Sequence, residues 1–297
     1  MSQLQGPDFI CVGMPKAGTD WLFDQLQFHP DFWMPPLKEI HYLDREHLRA
    51  GNARKFLDHI RTSSKQLEKR LSQRRPWDDR DIQFLEEMEA NRGEALNLQS
   101  YTKIFRYKGD LLTGDITPAY SSLTDDVVKS IARELPSIRI IMLVRDPIAR
   151  IWSHISMWHR AGNFDDALLD NPQKFLATLS RSKKALWARL RDVSFPSRVV
   201  ARWREHAPDV AFRHYFLDDI ASQPDVVRRE VLQYLGADPS KPSGALLPGH
   251  NRKAQSVKLS MPDAIKAALV DFFAEELRDS AVVFGEQGKK WASLYGL

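Results

Sequence analysis

The sequence predicts an α/β fold, a mostly parallel sheet flanked by helices. Three observations predict it. Phe9-Ile-Cys-Val12 and Ile138-Arg-Ile-Ile-Met-Leu-Val144 are apolar runs, partly β-branched, as expected of strands covered on both faces. Each is followed at once by a turn and an amphipathic helical pattern, opened by Thr19 in one case and Pro147 in the other. Strand, helix, strand in this order implies right-handed crossovers. The 297 residues suffice for one large core or two small ones. We read 1–297 as a single domain carrying a helical insertion over 45–99.

The first strand feeds a tight turn, Gly13 to Gly18, with Pro15 inside it. The helix that follows repeats Trp21, Leu22, Gln25 and Leu26 at helical spacing until His29-Pro30 stops it. A glycine-rich loop running into a helix N-terminus is an anion trap, because free amides and the helix dipole point at the same spot. Lys16 adds a full charge. The Gly-x4-Gly-Thr spacing makes the loop P-loop-like, but a Walker loop carries Lys directly after its second Gly. Thr19 stands there instead. The loop is therefore expected to hold phosphate without a nucleoside triphosphate and magnesium. A plain strand-turn-helix corner with a surface lysine would use the same residues.

Pro15-Lys16-Ala17-Gly18-Thr19-Asp20-Trp21-Leu22 resembles the 5′-phosphosulfate loop Pro-Lys-Ser-Gly-Thr-Thr-Trp-Leu of the sulfotransferases. Those enzymes use 3′-phosphoadenosine 5′-phosphosulfate (PAPS) and release 3′-phosphoadenosine 5′-phosphate (PAP). The resemblance implies donor contacts from Lys16, Ala17, Gly18, Thr19, Asp20 and Trp21, with Lys16 also acting in catalysis. Ala17 departs from the usual Ser and loses a hydroxyl. Asp20 departs from the second Thr and brings a negative charge near a sulfate.

Pro35-Pro36 favour extended backbone before Lys38-Glu39-Ile40-His41-Tyr42-Leu43-Asp44. In an extended run Glu39 and His41 project together, with Ile40 and Tyr42 on the other side. A carboxylate beside an imidazole can take a proton from an alcohol or amine. The run resembles the Lys-Glu-x-His-(Phe/Tyr)-Phe motif of carbohydrate-modifying sulfotransferases, where the Glu is the base. Leu43 departs from its second aromatic. Whether Glu39 or His41 takes the proton stays open here, as does a solvated Glu beside a surface His.

Residues 45–99 are polar and rich in helix formers, with helices expected over Arg54–Ile60, Lys65–Leu71 and Asp81–Met88 and a break at Pro76-Trp77-Asp78-Asp79. This block is expected to line the acceptor side. Its Arg70, Arg74, Arg75 and Arg80 could meet an acidic substrate or form a solvated helix face. Gly114-Asp115-Ile116-Thr117-Pro118-Ala119-Tyr120 resembles a Gly-Glu-x-Thr-Pro-x-Tyr segment of the same branch. Asp115 replaces its Glu. Ile116 stands where some glycosaminoglycan-type members carry a substrate-site Lys.

Thr124 to Leu135 reads as a helix with Val127, Val128, Ile131 and Leu135 on one face, leading to the 138–144 strand. Directly after that strand comes Arg145-Asp146-Pro147-Ile-Ala-Arg150-Ile-Trp152-Ser153. Pro147 suits a first helical turn, and Arg145 sits where ligands meet open α/β sheets. Guanidinium forks suit phosphate. The pattern resembles the sulfotransferase 3′-phosphate motif Arg-(Asp/Asn)-Pro-x-x-Arg-x-x-Ser. That resemblance assigns Arg145 and Ser153 to the 3′-phosphate and Arg150 to a structural salt bridge.

Residues 161–195 read as irregular, a mobile lid or acceptor loop. Ser197–His206 reads as helix and Val210–Leu217 as a strand. Ser222 is expected to cap the helix at 226–235, and Ser260 a last helix ending near Leu277. The basic turn Gly249-His250-Asn251-Arg252-Lys253 lies where the family closes its donor site, which makes Arg252 and Lys253 donor-binding candidates. A solvated turn is the other reading. Phe284-Gly285 and Trp291 resemble the family's C-terminal signature.

The composition is that of an ordinary globular protein, 43% hydrophobic and 28% charged with a net charge of +4. The charge is mild and no basic tail is present, so no nucleic-acid partner is expected. The single cysteine, Cys11, sits in a predicted buried strand and allows no intramolecular disulfide. No signal peptide or membrane span is read, and the expected compartment is the cytoplasm. No metal is expected. The resemblance as a whole implies sulfuryl transfer to a hydroxyl or amine of a sugar or small-metabolite acceptor, with oligomeric state open. Two rivals are a P-loop kinase or NTPase, which would need a Gly-Lys-Ser/Thr loop, and a non-catalytic nucleotide- or nucleic-acid-binding protein.

Overall fold

The computed structural model describes residues 6–44, 53–55, 57–58, 75–91, 96–251 and 258–297. Arg70, Arg74, the predicted 65–71 helix, Arg252 and Lys253 lie outside the described residues.

The core is a parallel sheet of β1 (Phe9–Cys11), β2 (Gly114–Ile116), β3 (Arg139–Val144) and β4 (Ala211–Phe216), in the order β2-β1-β3-β4. β1 is flanked on both sides, Phe9 pairing with Gly114 and with Arg139. Every residue of β1, and Ile140 to Val144 of β3, is buried, which is why both runs are continuously apolar. Gly114 is required by packing: a Cβ there would lie 2.3 Å from the Phe9 ring.

The order places the decisive crevice. From β1 the chain crosses to β2 on one side, then to β3 on the other. The C-terminal ends of β1 and β3 therefore lie side by side where the winding reverses, the usual ligand position in open α/β sheets. β1 feeds α1 (Thr19–Gln27), and β3 feeds a long helix over Pro147–Arg160. Backbone pairing continues past β1, with Val12 N donating to Ile141 O at 2.9 Å and Leu143 N to Gly13 O at 2.7 Å. The two turns thus stay in register.

Helices cover the sheet: α2 (Asp79–Ala90), α3 (Leu98–Lys103), α4 (Asp125–Glu134), α5 (Pro147–Arg160), α6 (Pro172–Arg181), α7 (Ala185–Asp192), α8 (Pro196–His206), α9 (Leu217–Ser222), α10 (Pro224–Leu235), α11 (Asp263–Val283) and α12 (Glu286–Leu294). Among the described residues of the insertion, 53–55, 57–58 and α2 are helical, with Ala53, Leu57, Phe84, Leu85 and Met88 buried. The break before α2 is a capping box, in which Asp78 accepts from Arg80 N and Asp81 from Asp78 N. Arg75 pairs with Asp81 at 2.5 Å and Arg80 with Asp78 at 2.7 Å, so these two cations face the protein's own carboxylates.

The 161–195 segment differs from the irregular loop expected from its sequence. It forms α6 and α7, which bury Phe175, Leu179, Trp187 and Leu190; Trp187 meets Phe175 and Trp158 of α5 edge to face. Its intervening cations obscure that helical spacing. Two cap assignments also change. Ser222 donates back to Asp218 O at 2.9 Å instead of capping α10, and α11 starts after Pro262 without a side-chain cap. α11 runs on past Leu277 to Val283, its core face carrying Phe273, Leu277 and Ser280. Among the described residues no helix is long and apolar enough to cross a membrane.

Candidate active site

The turn between β1 and α1 is held by its own backbone. Ala17 is wholly buried, and its amide donates to Met14 O at 3.2 Å. Gly18 takes the left-handed N-cap position at φ 104°, and a Cβ there would press on Leu217 at 3.2 Å. Thr19, Asp20 and Trp21 supply the first-turn amides, which have no acceptor within their own helix. Trp21 points its indole elsewhere, donating to Pro248 O at 2.6 Å, so its contribution to an anion is the backbone amide. Lys16 has a positive φ of 69° and reaches α5, its Nζ 3.7 Å from Met157 Sδ.

Arg145 emerges from the end of β3 into the same crevice, and its Nη1 donates to the Lys16 carbonyl at 3.1 Å. Burial pulls its pKa below the usual guanidinium value, against the pull of Asp146 and Asp218. Asp146 caps α5 through the Ile148 and Ala149 amides at 2.8 and 3.3 Å, and Tyr295 donates to it at 2.5 Å. The far C-terminus thereby buttresses this corner. Ser153 lies half-buried on α5, one turn before Met157. Trp291 donates to Asp218 at 3.4 Å, giving the C-terminal tryptophan a local bracing role.

The salt bridge expected of Arg150 is not formed among the described residues. Among the described residues this fully buried guanidinium meets no carboxylate; it donates to Leu190 O at 3.2 Å and Ser194 Oγ at 2.6 Å, capping the carbonyl end of α7. Burial, with Arg145 nearby, lowers its pKa to about 9. Next to Ser153, burial and the charges of Arg150 and Lys16 lower His154 to about 3, so it is neutral.

Glu39 and His41 face each other, Oε2 to Nε2 at 3.6 Å, but not on an extended run. Both have positive φ, 65° and 58°. Together with Lys16 these are the non-glycine residues of positive φ among those described, and such strain persists only where surroundings impose it. The imposing surroundings are β2 and the turn after it. Glu39 N donates to Ile116 O at 3.1 Å, His41 N to Thr117 Oγ1 at 3.4 Å, and Leu43 N to Tyr120 Oη at 3.2 Å. Beneath lies Asp115, wholly buried and accepting from Thr117, Tyr120 and Tyr101 at 2.6, 2.7 and 3.1 Å. Burial raises its pKa to about 6 despite those donors. Ile116 is itself buried, so its side chain packs in the core.

Charge in this loop is sharply divided. Burial works against a charged His41, but hydrogen bonds to Asp44 (2.8 Å) and Glu39 outweigh it and raise its pKa to about 9. Burial would raise Glu39, yet His41 and Lys38 hold it below the usual carboxylate value. At neutral pH the pair is imidazolium and carboxylate, so of the two it is Glu39, its side chain 45% exposed, that is able to accept a proton. Two participants escaped the sequence reading. Asp44 orients His41, at i+3 from it. Lys38 ion-pairs with Asp20 and thereby cancels the negative charge that Asp20 brings to the donor loop.

The model of the sulfotransferase family matches residues 7–240, from β1 through α10. The chain belongs to the sulfotransferase family. The curated relatives it matches include carbohydrate sulfotransferase 15 of Homo sapiens, 23% identical over 258 residues, and of Mus musculus, 22% identical. Each alignment covers 78% of this chain but 44% of the relative, so this sulfotransferase spans under half the length of those proteins. Among solved structures, a sulfotransferase from Alicyclobacillus acidocaldarius aligns with TM-score 0.64 at 18% identity, covering 96% of this chain and 98% of that one. Sulfotransferase STF9 from Mycobacterium avium aligns with TM-score 0.51 at 16% identity, covering 92% and 76%. At these identities the likeness is one of fold. Family and fold together support sulfuryl transfer as the chemistry of this sulfotransferase.

Proposed function

We propose that this sulfotransferase moves a sulfuryl group from PAPS to a hydroxyl or amine of a sugar or small-metabolite acceptor. The observation that supports the reading is the contact of Arg145 with the Lys16 carbonyl, which puts the loop after β1 beside the end of β3. Lys16 and the Gly18-to-Trp21 amides would hold the 5′-phosphosulfate, and Arg145 with Ser153 the 3′-phosphate. The donor set fits: a strained cationic loop, a helix N-terminus, a guanidinium fork and a hydroxyl on one facing helix.

Glu39 takes the acceptor proton as the acceptor oxygen or nitrogen bonds to sulfur. The bond from sulfur to the 5′-phosphate oxygen breaks, and its electron pair stays on that oxygen, faced by Lys16. His41, kept cationic by Asp44, orients Glu39. Positioning and electrostatics supply the rate, as in phosphoryl transfer. The names of the mammalian relatives favour a carbohydrate acceptor, with the insertion around α2 as its wall. Arg252 and Lys253 are proposed to close the donor site. The flanks of their segment are tied to α1 at Trp21 and to α5 at Trp152, which donates to Leu259 O at 2.7 Å. A PAPS-dependent screen across sugar, phenol and amine acceptors, read by mass shift, tests the reading. A screen with no product and no saturable PAP binding overturns it.

A further inference from the structure

Lys38 joins the two halves of the site. Its Nζ ion-pairs with Asp20 on the first turn of α1, and lies 3.5 Å from Thr19 Oγ1 and 3.8 Å from Glu39 Oε1. The side chain is 10% exposed, so bulk water screens it little. Two carboxylates therefore share one ammonium beside a helix N-terminus. Glu39 is also faced by His41, itself held by Asp44, from its own loop; α1 contributes Asp20, and Asp115 of β2 lies beneath the loop. In that set Lys38 and His41 favour the carboxylate form of Glu39 and Asp20 opposes it.

We propose that Lys38 is a positioning residue that links the basicity of Glu39 to occupation of the donor cradle, with Asp20 as its anchor. This rests on the reading of Glu39 as the base. A phosphate or sulfonate at the N-terminus of α1 competes with both carboxylates for Lys38. As the ammonium turns to that anion, Glu39 loses a stabilising charge and becomes the stronger base. Proton removal from the acceptor is thereby favoured when a donor is in place.

The test reads Glu39 directly. Carboxyl ¹³C titration of glutamate-labelled protein follows its midpoint, the resonance being assigned by its absence in Glu39→Gln. Lys38→Met is expected to move the midpoint up, and Asp20→Asn to move it down. PAP affinity by calorimetry is expected to weaken in Lys38→Met and tighten in Asp20→Asn, each roughly threefold to tenfold, as for one partly exposed charge. Lys38→Arg keeps the charge and should restore the midpoint. A pair that only braces the fold gives shifts of one sign in both variants, because either change breaks the same bridge. Shifts of one sign, or an unmoved midpoint in Lys38→Met, overturn the proposal. Full PAPS turnover by Glu39→Gln would instead remove Glu39 as base, and absence of PAP binding in the wild type would remove the donor reading. Neither result alters the titration.

Discussion

Arg145 donates through Nη1 to the carbonyl oxygen of Lys16 across 3.1 Å, although 129 residues separate them in the chain. The contact fixes the angle between the first-turn amides of α1 and the guanidinium at the end of β3. In the proposed function one donor with phosphates at both ends of its nucleoside uses both. Arg145→Ala is expected to weaken PAP binding on the order of 10- to 100-fold, the scale of charge-assisted hydrogen bonds. Calorimetry checks it, and an unchanged affinity would separate Arg145 from the donor.

Glu39→Gln keeps the side-chain volume and removes the proposed proton acceptor. Turnover is expected to fall roughly 10²- to 10⁴-fold, the usual contribution of a general base. PAP affinity should stay near that of the wild type. Loss of binding together with turnover would show that Glu39 acts in holding the donor.

The His41 pair has a pH signature. Its folded pKa, about 9, lies above the ordinary 6.5, so the fold binds this proton more tightly than the unfolded chain. The associated stability is complete below 6.5 and is lost as pH rises through about 9. Turnover should decline over the same upper range as the imidazolium that orients Glu39 is lost. Asp44→Asn should bring the decline to lower pH. Urea unfolding and rate profiles across this window measure both; a decline unmoved in Asp44→Asn would assign it to another group.

Away from the site, Glu276 receives Ser197 N at 2.9 Å, Ser197 Oγ at 2.7 Å and Ser280 Oγ at 3.2 Å, yet burial raises its pKa to about 7. The ordinary value is 4.5, so the fold again holds the proton more tightly. Stability should be greatest below 4.5 and fall as pH rises through about 7. Glu276→Gln should flatten that fall. Thermal unfolding between these limits checks it, and an unchanged slope would exclude Glu276 as its source.

Local signals carried much of the fold. The apolar runs of β1 and β3, Pro147 at the start of α5 and Gly18 ahead of α1 are each visible in a few neighbouring residues, because strand burial and helix starts are set locally. The α6–α7 region was not legible, since Lys183, Lys184, Arg189 and Arg191 interrupt the apolar spacing that buries Phe175, Leu179, Trp187 and Leu190. Nor was the conformation of Glu39 and His41. Extended backbone is the natural reading after two prolines, and the positive φ values come from anchors on β2 and the turn beyond it, more than seventy residues away.

The sequence alone determined which groups are available: a lysine in a glycine-rich loop, a carboxylate-imidazole pair, an arginine closing a strand, and helices that follow two of the strands. Only the tertiary structure decided how they are charged and what they face. Strand order β2-β1-β3-β4 brings the ends of β1 and β3 together, and no local pattern encodes strand order. Asp44 and Glu39 make His41 the cation against the cost of its burial and leave Glu39 the carboxylate, and Lys38 cancels Asp20, because charge depends on distance through space and on exclusion of water.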